Sequence, residues 1–471
     1  MAAITEAPTV WRAAGRGYLF AFLYLGAVWY WTGVTITTWS HSWIGWFAWL
    51  GLTAIEAVYY SAWAGAAWFA AQRLTGGRRI LTLAGMWVVM EWLRAQGALT
   101  MPWAQLSYSQ FRFLPLIQIA DFTGAYGISF LIVCFNTALV VGWLYRSRRS
   151  AWRHAWMAAA AAVVLSLYGL ARMQVAEHGR SMVVAVMQGP PQVGDTTPTV
   201  DAQLQLISHL TQQAASARVR PALILWGESA APDDPVYNAD MRRWFQNLAD
   251  ESDAALCVGA RIQNPLTLKS SNGAVTFQPY HAPVERYNKM QLVPFGEYIP
   301  YRRLFPPWLS NSFRFFQHDV TPGAAQKPMS IMLPAGPVEV GPFICYESMY
   351  PRYARRMTQQ GATMLITQSN DAWFQSRAAM WQHVSAVVLR AVENRRWIAR
   401  ATSTGVTCIV DCDGRIVRRA PVGAPGWIED RATLQQGKTI YTRFGNWFVL
   451  LCALLCAALL FAAASRRRRN I

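Results

Sequence analysis

Six apolar, aromatic-rich stretches run over residues 17–36, 44–72, 80–97, 124–145, 152–172 and 446–464, and no other feature limits the fold so strongly. About 20 such residues suffice to cross the hydrocarbon of a bilayer. One such stretch is equally well a buried helix of a large soluble protein. Six with basic flanks are the pattern of a multi-span bundle. We therefore expect about five transmembrane helices within residues 1–175 and a sixth within 443–471, followed by a basic tail.

The charge balance agrees. The chain of 471 residues is 53% hydrophobic and 14% charged, with a formal net charge of +18. An excess of Lys and Arg signals nucleic acid, anionic lipid or membrane topology. The cations cluster at the ends of apolar stretches, in Arg12 to Arg16, Arg73 to Arg79, Arg146 to Arg153 and Arg466 to Arg469. That distribution selects topology and speaks against a nucleic-acid partner. With both termini cytoplasmic, every one of these clusters lies on the cytoplasmic side, as the positive-inside rule requires. The opposite loops, Thr37 to Ser42 and Thr100 to Pro115, carry or adjoin Trp39, Trp43, Trp103 and Tyr108, suited to interfacial anchoring. Residues 178–442 fall on that outer side, which in a bacterium is the periplasm. The first span starts too far in for a cleaved signal peptide, so a multi-pass protein of the inner membrane is expected.

Seven cysteines are present, without CxxC or Cys/His zinc spacing. Cys408 and Cys412 fall in an expected strand, where an offset of four places them about 13 Å apart, too far to bridge. No disulfide framework is expected. Histidines and carboxylates show no metal-ligand spacing, and no Gly-rich phosphate loop appears, so neither metal nor cofactor is expected.

Within 178–442, β-type runs alternate with helical ones. Strands are expected over Met182 to Met187, Ala222 to Trp226, Ala255 to Ala260, Val338 to Ile344, Met364 to Gln368 and Thr407 to Val410. Helices are expected over Val200 to Ala217, Asp240 to Glu251, Tyr346 to Gln360 and Met380 to Asn394. This alternation is that of a layered α/β domain. The longest irregular segment, about 296–328, is a candidate functional loop.

Three residues in this domain carry chemistry. Cys345 follows an apolar strand and precedes an expected helix, where free backbone N–H groups favour thiolate. Glu228 lies just beyond another strand, at the sheet edge where α/β sites collect their groups. Lys289 stands in Arg286-Tyr-Asn-Lys-Met-Gln-Leu-Val-Pro-Phe-Gly-Glu297, polar before an apolar turn. Singly they read as a buried structural cysteine, a helix cap and a solvated lysine. Together they supply a nucleophile, a proton-transferring carboxylate and a cation for the oxyanion of acyl transfer.

The segments Leu225-Trp-Gly-Glu-Ser-Ala230, Tyr287-Asn-Lys-Met-Gln-Leu-Val-Pro-Phe-Gly-Glu-Tyr-Ile-Pro300, Ile344-Cys-Tyr-Glu347 and Ser369-Asn-Asp-Ala-Trp-Phe374 resemble the nitrilase (carbon–nitrogen hydrolase) superfamily. With Glu91-Trp-Leu-Arg94, Pro102-Trp103 and Gly445-Asn-Trp447, the chain is similar over nearly its whole length to the apolipoprotein N-acyltransferase family. The resemblance implies a nitrilase-like α/β domain, a four-layer αββα sandwich, outside a transmembrane helical bundle. It implies Glu228 as general base, Lys289 as oxyanion partner and Cys345 as nucleophile, supported by Glu297, Tyr346 and Glu347, with the Tyr346 N–H in the oxyanion hole. The implied reaction is ping-pong. Cys345 takes an acyl chain from a phospholipid as a thioester, and the α-amino group of a lipoprotein's diacylglyceryl-cysteine accepts it. Both substrates, and the surrounding membrane lipids, lie in one leaflet, so lateral approach replaces extraction.

Asn370, Asp371 and Trp373 either line the substrate pocket or build a turn. Phe305, Trp308, Phe313, Phe315 and Phe316, interspersed with Arg302, Arg303 and Arg314, suit a lid over acyl chains and headgroups, or an ordinary loop with buried aromatics. The chain also departs from the family's habit. Gly227 replaces a usual Pro, Gln375 replaces a usual Gly, and Gln188-Gly-Pro-Pro-Gln-Val193 lacks a usual Asn and nearby Trp. Five spans precede the domain rather than seven. These departures leave the three chemical residues intact and bear on the acceptor. A membrane-tethered amidase or a paralogue of conjugal transfer systems, using the same three residues, therefore stands beside the acyltransferase reading. A non-enzymatic scaffold fits poorly with an intact Glu, Lys and Cys.

Overall fold

Every one of the six apolar stretches is helical in the computed structural model, which describes residues 1–97, 100–146, 152–190, 198–304 and 319–469. Two compact units emerge, one of Met1–Val175, Phe374–Ser385 and the chain from Thr439, the other of Ala176–Trp373 and Ala386–Lys438.

In the helical unit, Thr9 caps the first long helix, Val10–Val28, its side chain accepting from the Arg12 N–H at 3.3 Å. Such a cap satisfies one of the unpaired donors at a helix start. At Trp29 the backbone leaves helical geometry, and the chain resumes as Tyr30–Ser40 at a bend of 54°. The span expected over 17–36 is thus a broken pair. Among the described residues, Ala125–Leu144, Arg153–Met173 and Trp447–Ser465 are long and apolar enough to cross a membrane, and the broken pair makes a fourth if counted as one span. The stretches expected over 44–72 and 80–97 form Ile44–Ala71 and Gly76–Leu93, which fall outside that group. Arg78, Arg79 and Glu91 charge the second, and Trp, Tyr and Glu56 dilute the first. Glu56 is neutralised within the unit: Arg94 Nε lies 2.8 Å from its carboxylate and Arg94 Nη1 donates to Tyr60 Oη at 3.0 Å. A charge held in such surroundings requires a partner of this kind.

The segment Phe374–Ser385 departs from the expected 178–442 division. It packs with the helices because Gln382 Oε1 accepts from the Trp31 and Trp103 indoles, at 3.1 and 2.7 Å, while Phe374 stacks edge-on against both rings. Helix Arg377–Asn394 therefore begins in one unit and ends in the other.

The second unit is built on twelve strands: β1 Ser181–Gln188, β2 Leu223–Leu225, β3 Ala255–Gln263, β4 Ser270–Gln278, β5 His281–Asn288, β6 Met329–Leu333, β7 Gly336–Ile344, β8 Met364–Ser369, β9 Ile398–Thr402, β10 Cys408–Val410, β11 Ile416–Arg419 and β12 Gly426–Thr433. The main path runs β5-β4-β3-β2-β1-β9-β8-β7-β6. Its centre, β3-β2-β1-β9-β8-β7, is parallel, whereas hairpins β3-β4-β5 and β6-β7 are antiparallel and β12 pairs antiparallel with β1. Parallel centres need helical cover on their faces. Helices Val200–Ala215 and Ala239–Ser252 give it, burying Ile207, Leu210, Phe245 and Leu248 against Ile224, Leu256, Val258 and Phe277. Each fully buried side chain of this size contributes about 1.5–3 kcal/mol.

The two ends of the path are joined by side chains. Gln278 Nε2 donates to the Ser330 carbonyl at 2.9 Å, Gln278 Oε1 accepts from Met332 N at 2.7 Å, and Glu285 Oε2 accepts from Ser330 N at 2.7 Å. These bonds occupy edge groups that no strand pairs. The result is a nearly closed sheet sandwich with helices outside, the nitrilase-like layered arrangement that the family resemblance implies.

The helix expected over Tyr346–Gln360 is divided into a 3-10 turn, Cys345–Met349, and helix Pro351–Gln359. Pro351 is the reason, since a residue before proline is driven from helical to extended geometry, and Tyr350 sits at φ −107°, ψ 106°.

Candidate active site

Glu228, Lys289 and Cys345 each lie just past the end of a strand. Glu228 follows β2 by three residues, and its position is fixed by Trp226 N donating to Cys257 O at 2.8 Å and Gly259 N to Gly227 O at 3.2 Å. A side-chain carbon at Gly259 would stand 2.6 Å from Glu228 Cα, so β3 passes directly beneath the carboxylate's backbone. Lys289 follows β5 and stays in register, its N–H donating to Asn272 O at 2.8 Å. Cys345 follows β7 with φ 51°, a left-handed conformation that costs a non-glycine residue about 1–3 kcal/mol and that recurs at functional turns.

The polar groups converge. Lys289 Nζ lies 3.3 Å from Glu228 Oε1 and 2.9 Å from Glu297 Oε1. Asn272 Nδ2 bridges the same two carboxylates, at 2.7 Å to Glu228 and 3.1 Å to Glu297. The second oxygens are held by backbone: Asn370 N donates to Glu228 Oε2 at 2.9 Å and Val293 N to Glu297 Oε2 at 2.8 Å. Burial works against the Lys289 ammonium, but Glu228, Glu297 and Cys345 together outweigh it and hold its pKa well above the usual lysine range. Lys289 is a permanent cation here.

The thiolate expected from a helix start is corrected. Withdrawal from water raises the Cys345 thiol far above its ordinary range, Glu228 raises it further, and Lys289 and a hydrogen bond with Ser369 oppose this without prevailing. A five-residue 3-10 turn offers less field than a full helix, and the resting residue is a thiol that needs a base.

Glu347 ties two strands' ends together. Its Oε1 accepts from Tyr287 Oη at 2.8 Å, Met290 N at 2.7 Å and Gln291 N at 3.1 Å, and its Oε2 from Ile344 N at 2.6 Å. Burial nevertheless pushes its pKa up to about 6, those hydrogen bonds pulling the other way. The loop carrying Lys289 and the strand delivering Cys345 are thereby locked to one carboxyl group. Tyr346 is buried with its ring edge-on to Tyr350 at 5.2 Å.

The remaining expected residues are distributed unevenly. Asn370 reaches the site through its backbone N–H, while its side chain accepts from Ala372 N at 3.2 Å in a local turn. Trp373 is half exposed. Phe305, Trp308, Phe313, Arg314, Phe315 and Phe316 lie outside the described residues. Gln375, where the resemblance leads one to expect glycine, takes φ 49°, the conformation for which glycine is suited. Asn272 is not marked by the sequence. It sits in the polar strand Ser270–Gln278, whose pattern gave no signal, and only register places its amide between two carboxylates.

Residues 183–436 match the carbon-nitrogen hydrolase family and residues 1–138 match the apolipoprotein N-acyltransferase N-terminal domain. An apolipoprotein N-acyltransferase of Geobacter metallireducens is 31% identical over 478 residues, covering 98% of this chain and 88% of that protein. One of Methylococcus capsulatus is 30% identical over 471 residues, again covering 98% and 88%.

Proposed function

Since the chain belongs to the apolipoprotein N-acyltransferase family of carbon-nitrogen hydrolases, we propose that it moves a fatty acyl chain from a membrane phospholipid, through a thioester on Cys345, to the α-amino group of an apolipoprotein's N-terminal S-diacylglyceryl-cysteine. It is an acyltransferase and a bacterial membrane protein. In our reading, residues 1–175 and 443–471 span the inner membrane with both termini cytoplasmic, and 178–442 face the periplasm, where both substrates are reached from one leaflet.

The observation that carries the chemistry is the buried arrangement of Glu228, Lys289 and Glu297 acting on Cys345. Glu228 takes the thiol proton as sulfur attacks the ester carbonyl carbon. The tetrahedral oxyanion is stabilised by the Lys289 ammonium and the Tyr346 N–H. Its collapse expels the lysophospholipid alkoxide, which takes the proton from Glu228 and leaves the acyl thioester. The acceptor amine then attacks the thioester carbonyl, gives its proton to Glu228, and collapse returns Cys345 as leaving group, reprotonated from Glu228. Glu297 and Asn272 keep Lys289 and Glu228 in register, and Glu347 holds the frame.

The first test is intact-mass spectrometry after incubation with phospholipid, wild type against Cys345→Ala. One added acyl mass, absent in the variant and discharged by a diacylated lipopeptide but not by water, supports lipoprotein acylation. No thioester, or discharge by water as fast as by lipopeptide, rejects it for the membrane-tethered amidase reading.

A further inference from the structure

Next to Cys345 lies a second buried chain of polar groups that the reaction as written does not use. β7 and β8 run parallel with Ile344 opposite Gln368, so the next residue on each strand, Cys345 and Ser369, emerges at the same level. Ser369 is fully buried, and its hydroxyl donates to Asp371 Oδ1 at 2.7 Å. Asp371 Oδ2 in turn takes Arg400 Nη2 at 2.6 Å, both side chains completely enclosed. A side-chain carbon at Gly405 would stand 2.1 Å from that same oxygen, so the carboxylate has no room to turn.

A fully enclosed ion pair is a weak source of net stability, because the desolvation of both charges offsets their attraction. Its geometric effect is definite: one Asp371 oxygen is fixed by Arg400, the other presents a fixed acceptor to Ser369, and the serine oxygen is thereby held beside the sulfur. We propose that Ser369 is a positioning residue for Cys345, kept in place by Asp371 and Arg400, and that its hydroxyl turns to donate to the sulfur once the thiol proton has passed to Glu228. No bond is made or broken at Ser369, and Asp371 keeps Arg400 as its partner while the hydroxyl turns. The charged and titratable groups that act on the sulfur are then the Lys289 cation and the Glu228 and Asp371 carboxylates, with Ser369 as a neutral donor. Donation from the turned Ser369 hydroxyl favours the thiolate and so opposes the rise in the thiol's pKa.

The inference rests on the reading of Cys345 as nucleophile but is tested apart from acyl transfer. Full-length protein in phospholipid nanodiscs is alkylated with iodoacetamide across pH, and acyl-thioester formation is followed by intact mass. Ser369→Ala should move the alkylation midpoint up by about 0.5–1 pH unit, the size of one lost hydrogen bond. It should slow thioester formation roughly 10- to 100-fold at an unchanged half-saturating lipid concentration, the effect of a misplaced nucleophile. Ser369→Thr, which keeps the hydroxyl, should return both. An unmoved midpoint in a protein whose thermal unfolding is unchanged overturns the proposal, as does a Thr variant that behaves like Ala. If wild type is alkylated normally yet never forms a thioester, the acyltransferase reading fails, and the midpoint shift still decides the role of Ser369.

Discussion

Lys289 is bonded more closely to Glu297 than to Glu228, at 2.9 Å against 3.3 Å. The cation that we propose for the oxyanion is therefore held more tightly by Glu297 than by Glu228, the carboxylate that we propose as base. One ammonium shared between two carboxylates cannot neutralise both, and Asn272 supplies the extra donor that lets them stand side by side.

Glu297→Gln should pull Lys289 onto Glu228 and weaken the base. The expected outcome is thioester formation lowered about 100-fold or more with lipid half-saturation little changed, because the loss falls in the transition state. Single-turnover mass spectrometry checks this. A variant with wild-type acylation and raised lipid requirement would place Glu297 in substrate binding instead.

Glu228 raises the Cys345 thiol, and Lys289 lowers it. Glu228→Gln should thus shift alkylation of Cys345 to lower pH while slowing thioester formation by about 100- to 10,000-fold, the range for loss of a general base. The label is selective, since the six other cysteines are buried and unbonded to one another. A midpoint that moves upward would sink the assignment of Glu228 as the anion facing the sulfur.

Much of this site was legible in the sequence because its members stand in polar motifs beside strand ends. Glu228, Lys289, Glu297 and Cys345 are each conspicuous in an apolar context. Asn272 and Arg400 were not, and Ser369 stood out only as the first residue of its motif, because a polar residue within a strand looks the same whether it faces solvent or another strand's carboxylate. Strands β4, β5, β6, β9, β11 and β12 went unseen for a related reason: Ser270–Gln278, Ile398–Thr402, Ile416–Arg419 and Gly426–Thr433 lack the long apolar runs of β1, β3 and β8. The break at Trp29 was equally hidden, since neither proline nor glycine occupies it.

Glu347 gives a pH signature. Its folded pKa near 6 lies above the ordinary 4.5, so the folded state binds its proton more tightly, and the resulting stability is present below about 4.5 and lost as pH rises through 6. The difference corresponds to on the order of 2 kcal/mol. Burial also holds Asp411 near 6, but that group is common to both proteins in a comparison with Glu347→Gln. The wild type should gain stability over the variant as pH falls from 7 to 4.5, measured by thermal unfolding in nanodiscs. A gain in the opposite direction would mean that the four hydrogen bonds outweigh burial.

The break at Trp29 predicts where the helical unit is most easily destabilised. Ending the first helix leaves the Val28 carbonyl without a helical partner, and Gln382 Nε2 supplies one at 3.2 Å. The same amide's oxygen accepts from the indoles of Trp31 and Trp103, both buried. Gln382→Leu keeps the volume and removes donor and acceptor together, taking one partner from a carbonyl and from two indole N–H groups. Each such group costs about 1–3 kcal/mol when shut away from water, so the three should lower thermal stability far more than a surface substitution. Gln382→Glu restores the acceptor for both indoles but offers nothing to Val28, and should recover part of the loss. Thermal unfolding read by tryptophan fluorescence compares the two. If Leu and Glu variants unfold with the wild type, water fills the site, and the broken helix does not depend on Gln382 for its bend.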